Sequence, residues 1–151
     1  MRYLSKDIII HINKRMIDSF GGNFIPPNNI LKNDNLEYLV EVIDSEMFGK
    51  PIYPEIHQKA AIYFYNIING HIFNDGNKRT ALESSILFLE LNGFTLKAKL
   101  NNELISSTEI IDFSNIELDK LFQFTNYFAS GLGDLELCTQ WFKENIESEL
   151  S

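Results

Sequence analysis

The sequence predicts an all-α fold, and three observations support that prediction. The 4 Pro and 8 Gly of the 151 residues are too few for a β fold with many turns. Apolar residues recur at helical spacing in several segments. Aromatic residues make up 13% of the chain, enough large side chains for a buried core. We expect one domain over residues 1–151.

The first helix is expected to begin after Ser5, which is a good N-cap residue. It should end at Gly21 and Gly22, because glycine favours a helix C-terminus. Residues 23–33 contain two prolines and are expected to form a loop. The expected core face has four apolar residues: Ile8, Ile12, Met16 and Phe20.

The second helix is expected over residues 35–47. Gly49, Pro51 and Pro54 then interrupt any helix, and Pro54 suits the first turn of a third helix that ends at Gly70. The apolar face of the second helix is expected to contain Leu36, Leu39, Val40, Ile43 and Met47.

A turn over residues 71–76 is expected to lead into a helix over residues 77–92. That helix is apolar on most of its circumference, so we expect it to lie buried at the centre of the domain. Residues 94–100 are expected to be extended. Two further helices, over 116–130 and 134–147, complete the chain.

Charge and composition exclude several functional classes. The net charge is -8 and the 13 basic residues are scattered, whereas a nucleic-acid interface needs a concentrated basic face. No apolar run approaches the roughly 20 residues of a membrane span. The single cysteine, Cys138, excludes an internal disulfide. We therefore expect a cytoplasmic protein that contacts neither nucleic acid nor membrane.

The turn before the predicted central helix carries the most informative residues. A helix N-terminus has free N–H groups and a partial positive charge, so it attracts anions. Gly76 lets the backbone approach a ligand closely. Lys78 and Arg79 add positive charge where a helix normally disfavours it, which indicates that an anion binds there.

Two further side chains give this turn its chemistry. Asp75 would repel an anion unless a divalent cation lay between them, and a carboxylate with phosphate is a usual Mg²⁺ site. His71 can accept a proton from a hydroxyl near neutral pH. Together these groups indicate phosphoryl or nucleotidyl transfer to a hydroxyl.

The same residues resemble a known family. The pattern H-x-F-x-D-G-N-x-R resembles the Fic-domain motif, and residues 71–82 look like the death-on-curing (Doc) branch. The resemblance is close over 65–95, whereas 101–118 looks like an insertion. It implies a helical Fic/Doc-like domain with a central buried helix and a short flap before the third helix. The motif positions are His71, Phe73, Asp75, Gly76, Asn77 and Arg79.

The resemblance also implies a role for each residue. His71 would be the catalytic base and Asp75 the Mg²⁺ ligand, while Phe73 would anchor the turn in the core. The flap over 49–54 would align the target protein's main chain. Phosphate binding would fall to Gly76, Asn77, Lys78 and Arg79, and the flap residues would be Lys50, Ile52 and Tyr53.

Two departures from the general Fic pattern favour the Doc branch. Lys78 stands where most Fic adenylyltransferases have Gly, and Leu82 stands where they have a second Arg. Resemblance to Doc implies transfer of the ATP γ-phosphate to a threonine of elongation factor Tu, which arrests translation, and a separate antitoxin that covers the cleft. Two alternatives remain open: a Fic-type adenylyltransferase, and a non-catalytic module that binds an anion.

Overall fold

Helices form most of the chain in the computed structural model, which describes residues 1–105 and 116–150. This agrees with the predicted all-α class. Two short antiparallel sheets pair β1 (Glu46–Met47) with β2 (Lys50–Pro51), and β3 (Phe94–Leu96) with β4 (Ile146–Ser148). The helices of the described residues are α1 (Lys6–Phe20), α2 (Asn33–Val42), α3 (Ile56–Asn69), α4 (Asn77–Leu91), α5 (Ile116–Ala129) and α6 (Leu135–Asn145).

Polar side chains fix where three helices begin. Ser5 Oγ accepts the Ile8 N–H at 3.2 Å, which confirms the predicted cap of α1. Asp134 caps α6 by accepting the Leu137 N–H at 2.8 Å. At α3, a reciprocal pair of bonds joins Glu55 and the residue three positions later. Each cap satisfies amides that the first helical turn leaves without partners.

The central helix is α3 rather than α4. It contacts α2, α4, α5 and α6, and the side chains from residue 59 to residue 64 are all buried. The prediction that α4 is buried nearly all round is wrong: Leu82 and Leu87 are half-buried and Leu91 is exposed. The buried face of α4 contains small side chains, which suit close packing against α3. Its buried residues are Thr80, Ala81, Ser84, Ser85, Phe88 and Leu89.

An aromatic cluster joins α3 to the two C-terminal helices. The Phe64 ring centroid lies 4.4 Å from that of Phe124, and Phe124 lies 3.7 Å from Trp141. All three side chains are buried. Because aromatic pairs bury large apolar areas, this cluster holds α5 in place beside α3 and α4.

Two predicted helix faces are wrong in detail. On α1, Ile12 is buried as expected. Ile9 and Ile17 are buried in place of Ile8 and Phe20, which are 39% and 61% exposed. Helix α2 ends at Val42, and Met47 is an exposed residue of β1. The apolar run at residues 8–10 fits either phase of α1, and packing against α4 selects one of them.

The segment before α3 forms a β-hairpin. Phe48 and Gly49 both have positive φ, 53° and 76°, as a two-residue hairpin turn requires. Phe48 at the tip is 98% exposed. Lys50 lies in β2, and Ile52 follows it, with its N–H donating to the Ser45 carbonyl at 3.0 Å. The expected flap is therefore an exposed hairpin in the structure.

The C-terminal region departs from a purely helical prediction. Helix α6 ends at Asn145 because residues 146–148 pair with β3, and this pairing confirms that residues 94–96 are extended. Of the expected insertion over 101–118, residues 106–115 lie outside the described residues. The described residue Asn102 accepts the Trp141 indole N–H at 2.8 Å, which attaches this segment to α6. No helix of the described chain is long and apolar enough to cross a bilayer.

Candidate active site

The loop between α3 and α4 is held by a segment that precedes α2. The Leu31 and Lys32 N–H groups donate to the Ile72 carbonyl at 2.8 and 3.0 Å, and the Asn74 N–H donates to the Asn29 carbonyl at 2.9 Å. Ile72 is fully buried, and Phe73 is 1% exposed. Both side chains therefore pack the loop against the core.

Asn77 closes this loop with its side chain. Its Oδ1 accepts the Phe73 N–H at 3.0 Å, and its Nδ2 donates to the Phe73 carbonyl at 2.8 Å. These two bonds engage both ends of the amide. The sequence interpretation included side-chain contact between Asn77 and phosphate; in the structure, this side chain bonds to the backbone of Phe73.

Among the described residues, no side chain caps the N-terminus of α4. Gly76 occupies the cap position with φ of 80°, a conformation that favours glycine. A Cβ there would lie 3.0 Å from both Asn13 Nδ2 and Ile17 Cδ1. The first α4 amide with a helical acceptor is that of Thr80, which donates to the Gly76 carbonyl. Among the described residues, the amides of residues 77–79 have no hydrogen-bond acceptor, so they can bind an anion.

Two buried asparagines fix the backbone of Asp75. Asn13 Nδ2 donates to the Asp75 carbonyl at 2.9 Å and to Thr80 Oγ1 at 3.0 Å. Asn29 Nδ2 donates to Asn13 Oδ1 at 2.9 Å and to the Asp75 carbonyl at 3.2 Å. Both asparagines are fully buried. Sequence reasoning missed them, although a polar residue on the face of α1 that carries Ile9 and Ile17 was a usable signal.

The Asp75 carboxylate accepts one backbone N–H on each oxygen. Asn23 donates to Oδ2 at 2.9 Å, and Gly76 donates to Oδ1 at 2.8 Å. These bonds, that from Asn23 first, lower the pKa of Asp75, and the charge of Arg79 adds to them. Asp75 is therefore ionised at neutral pH. A Cβ on Gly22 would lie 2.9 Å from Oδ2, so that position needs glycine.

The donor set at Asp75 fits Mg²⁺ better than a metal held by protein alone. Among the described residues, no group of three His, Cys, Asp or Glu side chains is placed to hold an ion. Mg²⁺ commonly takes one or two carboxylates, with phosphate oxygens and waters as its other ligands. An ionised Asp75 beside a helix terminus that can bind an anion fits that requirement.

Three further groups surround the α4 terminus. His71 has φ of 45° and an exposed side chain. Lys78 is exposed, and within residues 1–105 and 116–150 nothing hydrogen-bonds its ammonium. Arg79 lies over the Phe20 ring, with its guanidinium carbon 4.5 Å from the ring centroid.

These groups line a cleft of about 530 Å³, within the range of small-molecule sites. The motif loop and the start of α4 form one side, and α5 forms the other through Phe122 and its neighbours. Lys50, Ile52 and Tyr53 lie outside the cleft lining. The lining residues are Ile68, His71, Asn74, Asp75, Gly76, Asn77, Lys78, Arg79, Leu82, Phe122, Thr125, Asn126 and Ala129.

Comparison with protein families assigns a family to this chain. The model of the Fic/DOC family matches residues 3–89, more than half of the chain, and the chain belongs to that family. This confirms the family that the motif predicts. The match covers α1 to α3, the whole motif loop and most of α4, whereas α5, the other wall of the cleft, lies beyond it.

Two relatives belong to the Doc branch that the sequence resembles. The chain is 34% identical to the protein kinase doc of Escherichia phage P1 over 96 residues, which are 62% of this chain and 70% of that protein. It is 38% identical to the toxin Doc of Mycolicibacterium smegmatis over 52 residues, which are 34% of this chain and 40% of that protein.

Proposed function

We propose that this chain is a Doc-like toxin and a protein kinase that transfers the γ-phosphate of ATP to a hydroxyl of another protein. The observation that carries the proposal is the convergence, in one cleft, of the uncapped α4 amides, the ionised Asp75 and the His71 imidazole. The names of the two relatives, a protein kinase and a toxin, support the same function.

The α4 terminus would bind the phosphates of ATP. The amides of residues 77–79 donate to phosphate oxygens, and Lys78 and Arg79 supply positive charge in a chain whose net charge is -8. Asp75 would hold Mg²⁺, which, when bound, neutralises charge on the phosphate oxygens. Because the loop is fixed by Asn77, Asn13 and Asn29, these donors are oriented before ATP binds.

His71 would act as the general base in the transfer. Its imidazole accepts the proton of the target hydroxyl while the hydroxyl oxygen forms a bond to the γ-phosphorus. The bond from that phosphorus to the oxygen bridging the β- and γ-phosphates breaks, and ADP leaves with the bridging oxygen. The products are a phosphorylated target, ADP and a protonated His71.

Leu82 and Lys78 favour kinase chemistry over adenylyl transfer. The resemblance places a second phosphate-binding Arg of Fic adenylyltransferases at position 82, and here that position adds an apolar side chain to the cleft. The α4 terminus with Lys78 then provides one strong phosphate subsite, which we assign to the γ-phosphate. A Fic-type adenylyltransferase is the alternative that the experiment below distinguishes.

The proposed target is a threonine of a translation factor such as elongation factor Tu, and a cognate antitoxin would cover the cleft. The exposed β1–β2 hairpin would contact the target's main chain, because a two-stranded sheet leaves unpaired edges. Phe48 at its tip is an exposed apolar contact for that partner.

The direct test incubates the protein and Mg²⁺ with purified elongation factor Tu and ATP labelled on either the α- or the γ-phosphate. We expect label from the γ-phosphate alone, on threonine, and none with His71→Ala. His57→Ala is the matched control, because His57 is a half-buried residue of α3 that does not line the cleft. Transfer of the α-label would refute the kinase and support adenylyl transfer. Toxicity that survives His71→Ala in cells would instead support a non-catalytic module.

A further inference from the structure

The last residue of α1, Phe20, has a largely exposed aromatic side chain. Phe20 is 61% exposed, yet the Arg79 guanidinium carbon lies 4.5 Å from its ring centroid. Arg79 Nη1 also donates to the Phe20 carbonyl at 3.5 Å. The last turn of α1 contains no basic residue of its own, so Arg79 supplies the cation that a helix C-terminus favours.

The same short segment also touches the other charged group of the motif. The Asn23 N–H donates to Asp75 Oδ2, and Gly22 lies so close to that oxygen that a Cβ would be 2.9 Å away. Residues 20–23 therefore contact both Asp75 and Arg79. The end of α1 thus has a place in the geometry of the cleft, beyond its packing against α4.

We propose that Phe20 is a positioning residue that holds Arg79 at the edge of the cleft for phosphate binding. This inference rests on the proposed function, since it assumes that Arg79 meets an ATP phosphate. An exposed arginine samples many rotamers, and ordering it opposes binding. The ring attracts the guanidinium charge without using its N–H donors, and the Phe20 carbonyl uses one of five. The other donors remain for phosphate oxygens.

The test measures MgATP affinity by calorimetry in the full chain. Phe20→Leu keeps an apolar side chain but removes the ring, and Phe20→Trp keeps a ring. We expect Phe20→Leu to weaken MgATP binding about two- to fivefold, the range of an exposed cation–π contact, and Phe20→Trp to preserve it. In an Arg79→Ala background, Phe20→Leu should have no further effect, because the group it orders is gone.

Tyr38→Leu is the control, since it removes another exposed aromatic ring, on α2, away from the cleft lining. It should leave MgATP affinity unchanged. The proposal is overturned if Phe20→Leu binds as the wild type does, if leucine and tryptophan weaken binding equally, or if Phe20→Leu is equally harmful without Arg79. If the wild type transfers the γ-label while Phe20→Leu binds MgATP normally, the positioning role of Phe20 is wrong and the proposed function stands. If the wild type binds no MgATP, the proposed function falls with it.

Discussion

The buried amide of Asn13 offers a quantitative test of how the motif loop is held. Its side chain joins α1 to the Asp75 carbonyl and to Thr80 Oγ1, and it accepts a bond from Asn29. Asn13→Ala leaves Thr80 Oγ1 without this donor and leaves one N–H of Asn29 Nδ2 without its acceptor, whereas Asn29 Nδ2 still donates to the Asp75 carbonyl at 3.2 Å.

Two effects should lower the free energy of unfolding of Asn13→Ala. A buried polar group without a partner costs about 1–3 kcal/mol, and a lost buried hydrogen bond adds about 0.5–1.5 kcal/mol. We expect Asn13→Ala to lower the free energy of unfolding by about 2–4 kcal/mol. Urea unfolding followed by fluorescence of the buried Trp141 measures this quantity.

Asn33→Ala is the matched control. Asn33 donates to Glu37 on the surface of α2, so its loss should change stability by no more than about 0.5 kcal/mol. If Asn13→Ala and Asn33→Ala unfold at the same urea concentration, the buried network does not hold the loop.

Three other perturbations test separate parts of the site. The pKa of Asp75 in the folded protein lies below its ordinary value of 3.8, so the ionised carboxylate stabilises the fold above pH 3.8, and this stabilisation is lost as the pH falls through the folded pKa. Asp75→Asn should therefore make the free energy of unfolding depend less on pH in this acidic range. An unchanged dependence on pH would contradict the lowered pKa. Gly21→Ala and Gly22→Ala both strain a positive φ, but Gly22→Ala alone meets Asp75, so it alone should abolish Mg²⁺-dependent transfer; equal activities would argue against the contact. Phe48→Ser should raise the KM for the target protein severalfold without altering MgATP affinity, and an unchanged target KM would remove the hairpin from target binding.

Local signals were enough to predict much of the fold. Ser5 marks the start of α1 and Gly21 marks its end, as the sequence predicts. The prolines and glycine after residue 47 separate α2 from α3. The loop from His71 to Arg79 could be located from its residue types and their spacing, and the family match includes it. The structure brings His71, Asp75 and the start of α4 to one cleft.

Features that depend on distant contacts could not be predicted. The apolar run at residues 8–10 fits two phases of α1, and only tertiary packing decides between them. Pairing of β3 with β4 joins residues about 50 positions apart, which no local pattern encodes. The contact of Arg79 with Phe20 has the same origin, since α1 and α4 meet only in the folded chain.

Mass spectrometry of elongation factor Tu recovered from cells that express this chain tests whether the protein phosphorylates its proposed target. If the α4 terminus binds the transferred phosphate and His71 is the general base, we expect a threonine carrying one phosphate in cells with the wild type. The same threonine should be unmodified in cells with His71→Ala. An adenylylated or unmodified factor in cells whose growth has stopped would contradict it.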